Sequence, residues 1–173
     1  MKSKSGIFTN ISFLIIGVLL GAFASWIISS HYYTESSEAY KRGVIESTIH
    51  EIDFNLTDKL YEEYQDTIKY IGGGGPFSYL QAGALNQLYL NLGVFKKSDS
   101  YLFADLEDRL AAAKINVELF NQVVQFRNNY IFIDLKNVKS FNPMVFENYF
   151  KYVLPSLQKL KEFLIENRET LVR

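Results

Sequence analysis

Residues Ile7 to Ile28 form a run of 22 positions without a single charged side chain, closed by Ser29-Ser30 and preceded by Lys2 and Lys4. As a helix this run measures about 33 Å, the hydrocarbon thickness of a bilayer, and no compact domain of this size needs so long a charge-free rod. A single transmembrane helix over 7–30 is therefore expected, with residues 1–6 as a short tail and 31–173 as one folded domain. Trp26, Tyr32 and Tyr33 stand where an interfacial aromatic belt belongs. Gly17 and Gly21 have the small-xxx-small spacing that lets two membrane helices approach closely, and are the candidate association residues of this signal-anchor. Plain abundance of glycine in such helices is the competing explanation. So is a cleavable signal peptide, since Ala22-Phe23-Ala24 before Ser25 has the form of a cleavage site; hydrophobicity that resumes at Trp26-Ile27-Ile28 argues against it. Two basic residues lie on each side, Lys2 and Lys4 against Lys41 and Arg42. The amino-terminal charge tips the balance towards an extracytoplasmic domain, with the cytoplasmic orientation as the alternative.

From His31 onward, 16 Lys/Arg face 19 Asp/Glu, so no basic surface of the kind that binds nucleic acid is expected. The chain has no cysteine, which removes thiol chemistry and an acylated-cysteine anchor and fits either side of a membrane. Fourteen Phe and 12 Tyr supply large packing surfaces, and about 143 residues suffice for one real core.

Helical periodicity dominates that domain, and no stretch alternates as a half-buried strand does. Ile45, Ile49, Ile52, Leu56, Leu60, Tyr64 and Ile68 recur at steps of four and three, predicting a helix over about 40–71 whose polar face carries Lys41, Glu46, Asp58 and Glu62. Gly72, Gly73, Gly74 and Gly75, followed by Pro76, end it and form a candidate hinge. A shorter helix is expected over 78–92, with Leu80, Leu85, Leu88 and Leu92 buried and Gly93 as its stop. A third, over 101–133, has the coiled-coil-like seam Leu106, Leu110, Ala113, Val117, Phe120, Val124, Ile131, interrupted by Arg127. Asn142-Pro143 reads as an N-cap and first helical position, opening a helix over 143–171 that Pro155 kinks, with the stripe Phe146, Phe150, Val153, Leu157, Leu160, Leu164 and Leu171 interrupted at Asn167. The expected fold is all-α: a transmembrane helix, then an elongated antiparallel three- to four-helix bundle.

Chemistry is sparsely provided. His50 shares a helix face with Glu46 and Asp53, yet a di-iron site needs Glu-x-x-His on two helices, and a zinc-protease motif needs a second histidine where Phe54 stands. The four glycines lack the Gly-Lys-Ser/Thr ending of a phosphate loop. Glu62-Glu63 and Glu107-Asp108 fall on solvated faces, and Asn55-Leu56-Thr57 matches a glycosylation sequon across an apolar stripe. No catalytic, metal or cofactor site is expected, and the chain reads as a non-enzyme. Arg127 and Asn167 stand out as seam polars that either fix register against each other or a partner, or mark where the seam reaches solvent.

Glu51-Ile52-Asp53-Phe54-Asn55-Leu56 soon after a lone amino-terminal span, with Leu119-Phe120-Asn121 on a later long helix, resembles a loose set of uncharacterised prokaryotic single-pass membrane-anchored helical proteins. That resemblance implies architecture and no activity. The functional expectation is a scaffold, adaptor or accessory subunit at the cell membrane, in contact with the lipid bilayer and with a protein partner or its own copies. A tethered sensor or ligand-binding module and a membrane-acting effector are the alternatives.

Overall fold

The computed structural model describes residues 4–57, 62, 76–95, 100–130 and 135–173, with side chains described from Leu19 onward except at 130 and 135–141. All regular structure among them is helical: α1 (Lys4–Asn55), α2 (Gly83–Leu90), α3 (Leu92–Phe95), α4 (Ser100–Tyr130), α5 (Leu135–Asn148), a π-helical turn (Tyr149–Val153) and α6 (Leu154–Val172). The chain divides into two units, 1–40 and 41–173.

In the first unit, Leu19, Leu20, Phe23, Trp26, Ile27 and Ile28 are all exposed. Among the described residues no helix is long and apolar enough to cross a membrane. The part of the expected span with described side chains is only its second half, since residues 7–18 lie outside that set.

The second unit has one hydrophobic core, built mostly by α4, α5 and α6 with the end of α1 against them. Every described residue of the α4 seam from Leu106 to Val124 is fully buried, as is Arg127. Polar contacts fix the helix directions. Arg127 reaches Asn142, Phe120 meets Tyr149, Asn116 reaches Tyr152 and Arg109 stacks on Phe163, so α4 runs antiparallel to the α5–α6 arm. Along α1 the partners in α6 descend as the α1 number rises: Lys41 with Val172, Arg42 with Glu169, Glu46 with Arg168, Asp53 with Lys161. These two are antiparallel as well. The Arg42 guanidinium holds the Glu169 carboxyl below its ordinary value, and this exposed pair is open to screening by salt.

Several sequence expectations change. Lys41, assigned to the solvated face, is buried and donates to the Val172 carbonyl 3.0 Å away, capping the end of α6 where a cation suits the helix dipole. Helix formation after the glycines begins at Gly83 and not at Ser78, because the backbone groups of Phe77, Leu80 and Gln81 are engaged by side chains of α1 and α4. Asn91 interrupts the helix before Gly93 does, its side-chain amide turned back onto the Gln87 carbonyl at 2.7 Å. Asn142-Pro143 is no helix start: both lie inside α5, and the Asn142 side chain is spent on Arg127.

At Pro155 the expected kink takes the form of the π turn just before it. Proline has no N–H and its ring crowds the carbonyl four residues back, so the preceding turn widens, with the Leu154 N–H bonding to the Tyr149 carbonyl. The extra residue also resets the core stripe. Val145, Tyr149, Val153 and Leu157 are buried at steps of four, which drift about 120° on a regular helix, and a π turn takes most of that back. Hence Tyr149 enters the core and Phe150, expected there, is exposed. The helix expected over 40–71 stops early: α1 ends at Asn55, and Leu56 and Thr57 are not helical. The helix end expected at residue 133, the glycines 72–75 and Ile131 lie outside the described residues.

Candidate functional site, a strap held by side-chain amides

Residues 76–82 have no regular structure, and among the described residues no backbone–backbone hydrogen bond ties 76–81 to the rest of the chain. An unpaired backbone beside a core is costly, so its polar groups must be met some other way. Three asparagines meet them, each pairing with both the N–H and the C=O of a single residue. Asn128 accepts from the Phe77 N–H at 2.9 Å and donates to its carbonyl at 2.8 Å. Asn121 does the same for Leu80, at 2.8 and 3.0 Å, and Asn55 for Gln81, at 2.9 and 2.7 Å. Where the strap turns into α2, the Glu51 carboxylate takes the N–H groups of Ala84 and Leu85, at 2.8 and 2.9 Å, two of the donors a helix start leaves unpaired.

The register of this ladder is geometric. Asn121 and Asn128 are seven residues apart on α4, an axial distance of about 10.5 Å. Phe77 and Leu80 are three residues apart, and an extended chain covers about 10 Å over that distance. One pair of asparagines therefore matches one pair of strap residues without strain. Glu51 and Asn55, four apart on α1, share a helix face and serve the other edge. Asn55 is fully buried, and its own carbonyl accepts the Tyr149 hydroxyl at 2.7 Å, linking the strap to the π turn.

The strap's two large side chains seal the arrangement. Phe77 and Leu80 are buried, and Phe77 lies over the Arg127 guanidinium, 3.7 Å from its ring centroid, with Phe146 edge-on at 6.0 Å. Arg127 is fully buried, and its Nε donates to the Asn142 side-chain oxygen at 2.8 Å. One of its terminal nitrogens donates to the Asn128 side-chain oxygen at 3.2 Å. Burial pushes its pKa down to about 10, which still leaves it charged at neutral pH. Among the described residues no buried side-chain nitrogen or oxygen lacks a hydrogen-bond partner. The three asparagine amides and the Glu51 carboxylate are thus engaged in pairing with the backbone of the strap and the start of α2.

The residues singled out by sequence are mostly elsewhere. Arg127 faces Asn142 and Asn128, while Asn167 bonds back to the Phe163 carbonyl of its own helix. Glu46 and Asp53 are tied to Arg168 and Lys161, and no group of three metal-type donors exists among the described residues. Gly21 is in open space, with nothing within 4 Å of an added Cβ; Gly17 lies in α1 before the described side chains. The Asn55 sequon is a structural clamp, its amide nitrogen committed to Gln81 and inaccessible in the folded chain. Asn128 and the clamping roles of Asn55, Asn121 and Glu51 escaped the sequence reading. Their signal was faint: polar residues at spacings of four and seven beside an apolar seam.

Two surface grooves are open to solvent. One of about 580 Å³ between α4 and the π turn is lined by Asp105, Arg109, Asn116, Lys151, Tyr152 and Lys159, and another of about 420 Å³ runs beneath Tyr79. The sequence matches no family model, no curated protein and no solved structure. Function therefore rests on geometry alone.

Glu51 gives a direct test of the strap junction. Glu51→Gln keeps one acceptor and should cost about 1 kcal/mol, and Glu51→Ala about 2 kcal/mol, in chemical denaturation. Equal stability of all three chains would show that the carboxylate adds nothing to the start of α2.

Proposed function

We propose that this chain is a single-pass membrane protein whose helical bundle works through protein contacts, as a scaffold, adaptor or accessory subunit without catalysis of its own. The observation that carries the tether is the exposure of Leu19, Leu20, Phe23, Trp26 and Ile28 around one helix, each between 59% and 69%. A helix apolar on every side has no stable place in water; it belongs in a protein core or in lipid. The 22-residue charge-free run from Ile7 supplies the length for lipid. Support for contact function comes from α4, where Ile115, Leu119 and Phe126 form an exposed outer row at helical spacing opposite the buried seam. Open grooves fit contact surfaces better than an enclosed reaction chamber.

Fractionation tests the tether: the full chain should stay with membranes through high salt and alkaline washing and leave only in detergent. Release of the intact chain without detergent overturns the reading. The absence of cysteine makes sidedness simple to read. In Tyr101→Cys, at a position 86% exposed, an impermeant thiol reagent on whole cells should label an extracytoplasmic bundle and spare a cytoplasmic one.

Self-association through the span predicts that Gly17→Leu combined with Gly21→Leu weakens the detergent-solubilised oligomer about tenfold or more, because leucine side chains hold the helix backbones apart. The space around Gly21 means that leucine there meets no steric conflict within its own chain. Unchanged association in sedimentation would place any self-contact outside these glycines.

A further inference from the structure

The strap is held as a bound peptide is held. Its backbone is read by side-chain amides on two flanking helices, two of its side chains are buried, and those backbone bonds are made whatever side chains the paired residues carry. We propose that the groove between α1 and α4 is a peptide-backbone-reading site, occupied in cis by residues 76–82, and that an extended segment of a partner protein exchanges with this resident strap. The inference deepens the protein-contact reading and rests on it, since it names how a partner would be recognised.

The groove dictates the chemistry of that partner. Asn128, Asn121 and Asn55 require a free N–H and carbonyl at the first, fourth and fifth positions, so proline is excluded from all three. The first position takes an aromatic ring able to lie on the Arg127 guanidinium, and the fourth takes a leucine-sized side chain. The third position, Tyr79, is half exposed and carries no such requirement. The occupant is thus an extended aromatic-x-x-aliphatic peptide. Exchange, rather than simple addition, follows because the strap fills the same hydrogen bonds.

Two measurements on the purified full chain in lipid nanodiscs test this. In native-state hydrogen exchange, the amides of Phe77, Leu80 and Gln81 should exchange through a local opening with a denaturant dependence at least threefold shallower than that of Val117 and Phe120 in α4. Exchange of both sets only through global unfolding overturns the proposal. The second measurement uses a fluorescent peptide with the sequence of residues 76–82 and a strap-lifted chain, Phe77→Ala with Leu80→Ala, checked for helicity. The peptide should bind this chain at least tenfold more tightly than the unaltered one. Binding should be lost when Asn121→Leu is added or when proline replaces the peptide's leucine. Equal binding to both chains, or binding indifferent to Asn121, overturns it. Doubling of the molar mass of the strap-lifted or unaltered chain through exchanged straps would make a second copy the occupant and overturn the assignment to a separate partner. Neither measurement depends on cellular location or on captured partners, so failure here leaves the tether tests standing.

Discussion

Replacing Arg127 with alanine should destabilise the bundle by about 3–5 kcal/mol, close to the whole cost of a large buried truncation combined with broken polar pairing. Arg127 is the largest fully buried side chain, and it joins three elements: α4 itself, Asn142 of α5 and Phe77 of the strap. Its removal leaves a cavity, takes the guanidinium donor from the Asn142 oxygen and one of the donors from the Asn128 oxygen, and takes the charge from beneath the Phe77 ring. Arg127→Met fills most of the volume and should recover about half of the loss, since an apolar replacement avoids burying a charge. Arg127→Lys keeps the charge but not the planar fork and should sit between them, because one ammonium cannot face Asn142, Asn128 and the ring together. Thermal unfolding provides a second measurement, at about 2–4 °C for each kcal/mol in a chain of this size. An alanine variant within 1 kcal/mol of the parent would show that the guanidinium holds nothing together.

The parts of the fold that were legible in sequence are those in which one apolar stripe meets another. The α4 seam from Leu106 to Val124 and the α6 stripe Leu157, Leu160 and Leu164 are buried as their spacing predicts, because periodicity registers long helices packed side by side. The strap left no such mark. Side-chain amides pairing with a backbone follow no period of 2 or 3.6, and Leu80, Leu85 and Leu88 imitate a continuous helix across the place where the chain has no regular structure. Asn142-Pro143 carried a genuine helix-start signal, and long-range pairing with Arg127 overrode it. Lys41 shows the reverse case: a long apolar stem with one terminal donor is as well suited to covering the end of α6 as to facing water. The residues quoted for the prokaryotic resemblance include Glu51, Asn55 and Asn121, three of the four groups that hold the strap, so that pattern describes a structural device more directly than a chemical one.

Asn55→Asp is the sharpest test of that device, because it exchanges the amide nitrogen for an oxygen and changes almost no volume. The asparagine amide both donates to and accepts from Gln81; an ionised carboxylate only accepts. The N–H contact survives, while the Gln81 carbonyl then faces a second oxygen across a contact now 2.7 Å long. With the site fully buried, the loss at neutral pH should be about 3 kcal/mol. A protonated carboxyl restores a donor and an acceptor, so burial and this contact together raise the folded-state pKa of the new group above its unfolded value. A group raised in this way is fully stabilising only below its unfolded pKa, and its contribution is lost as pH rises through the folded one. The variant should therefore approach the parent's stability below about pH 4 and fall away from it towards neutrality. Asn121→Asp, at a half-buried position, should follow the same course with a smaller loss. Denaturation at a series of pH values, each referred to the parent under the same conditions, reads the effect directly. A constant difference across the series would mean that the Asn55 side chain does not pair with the strap.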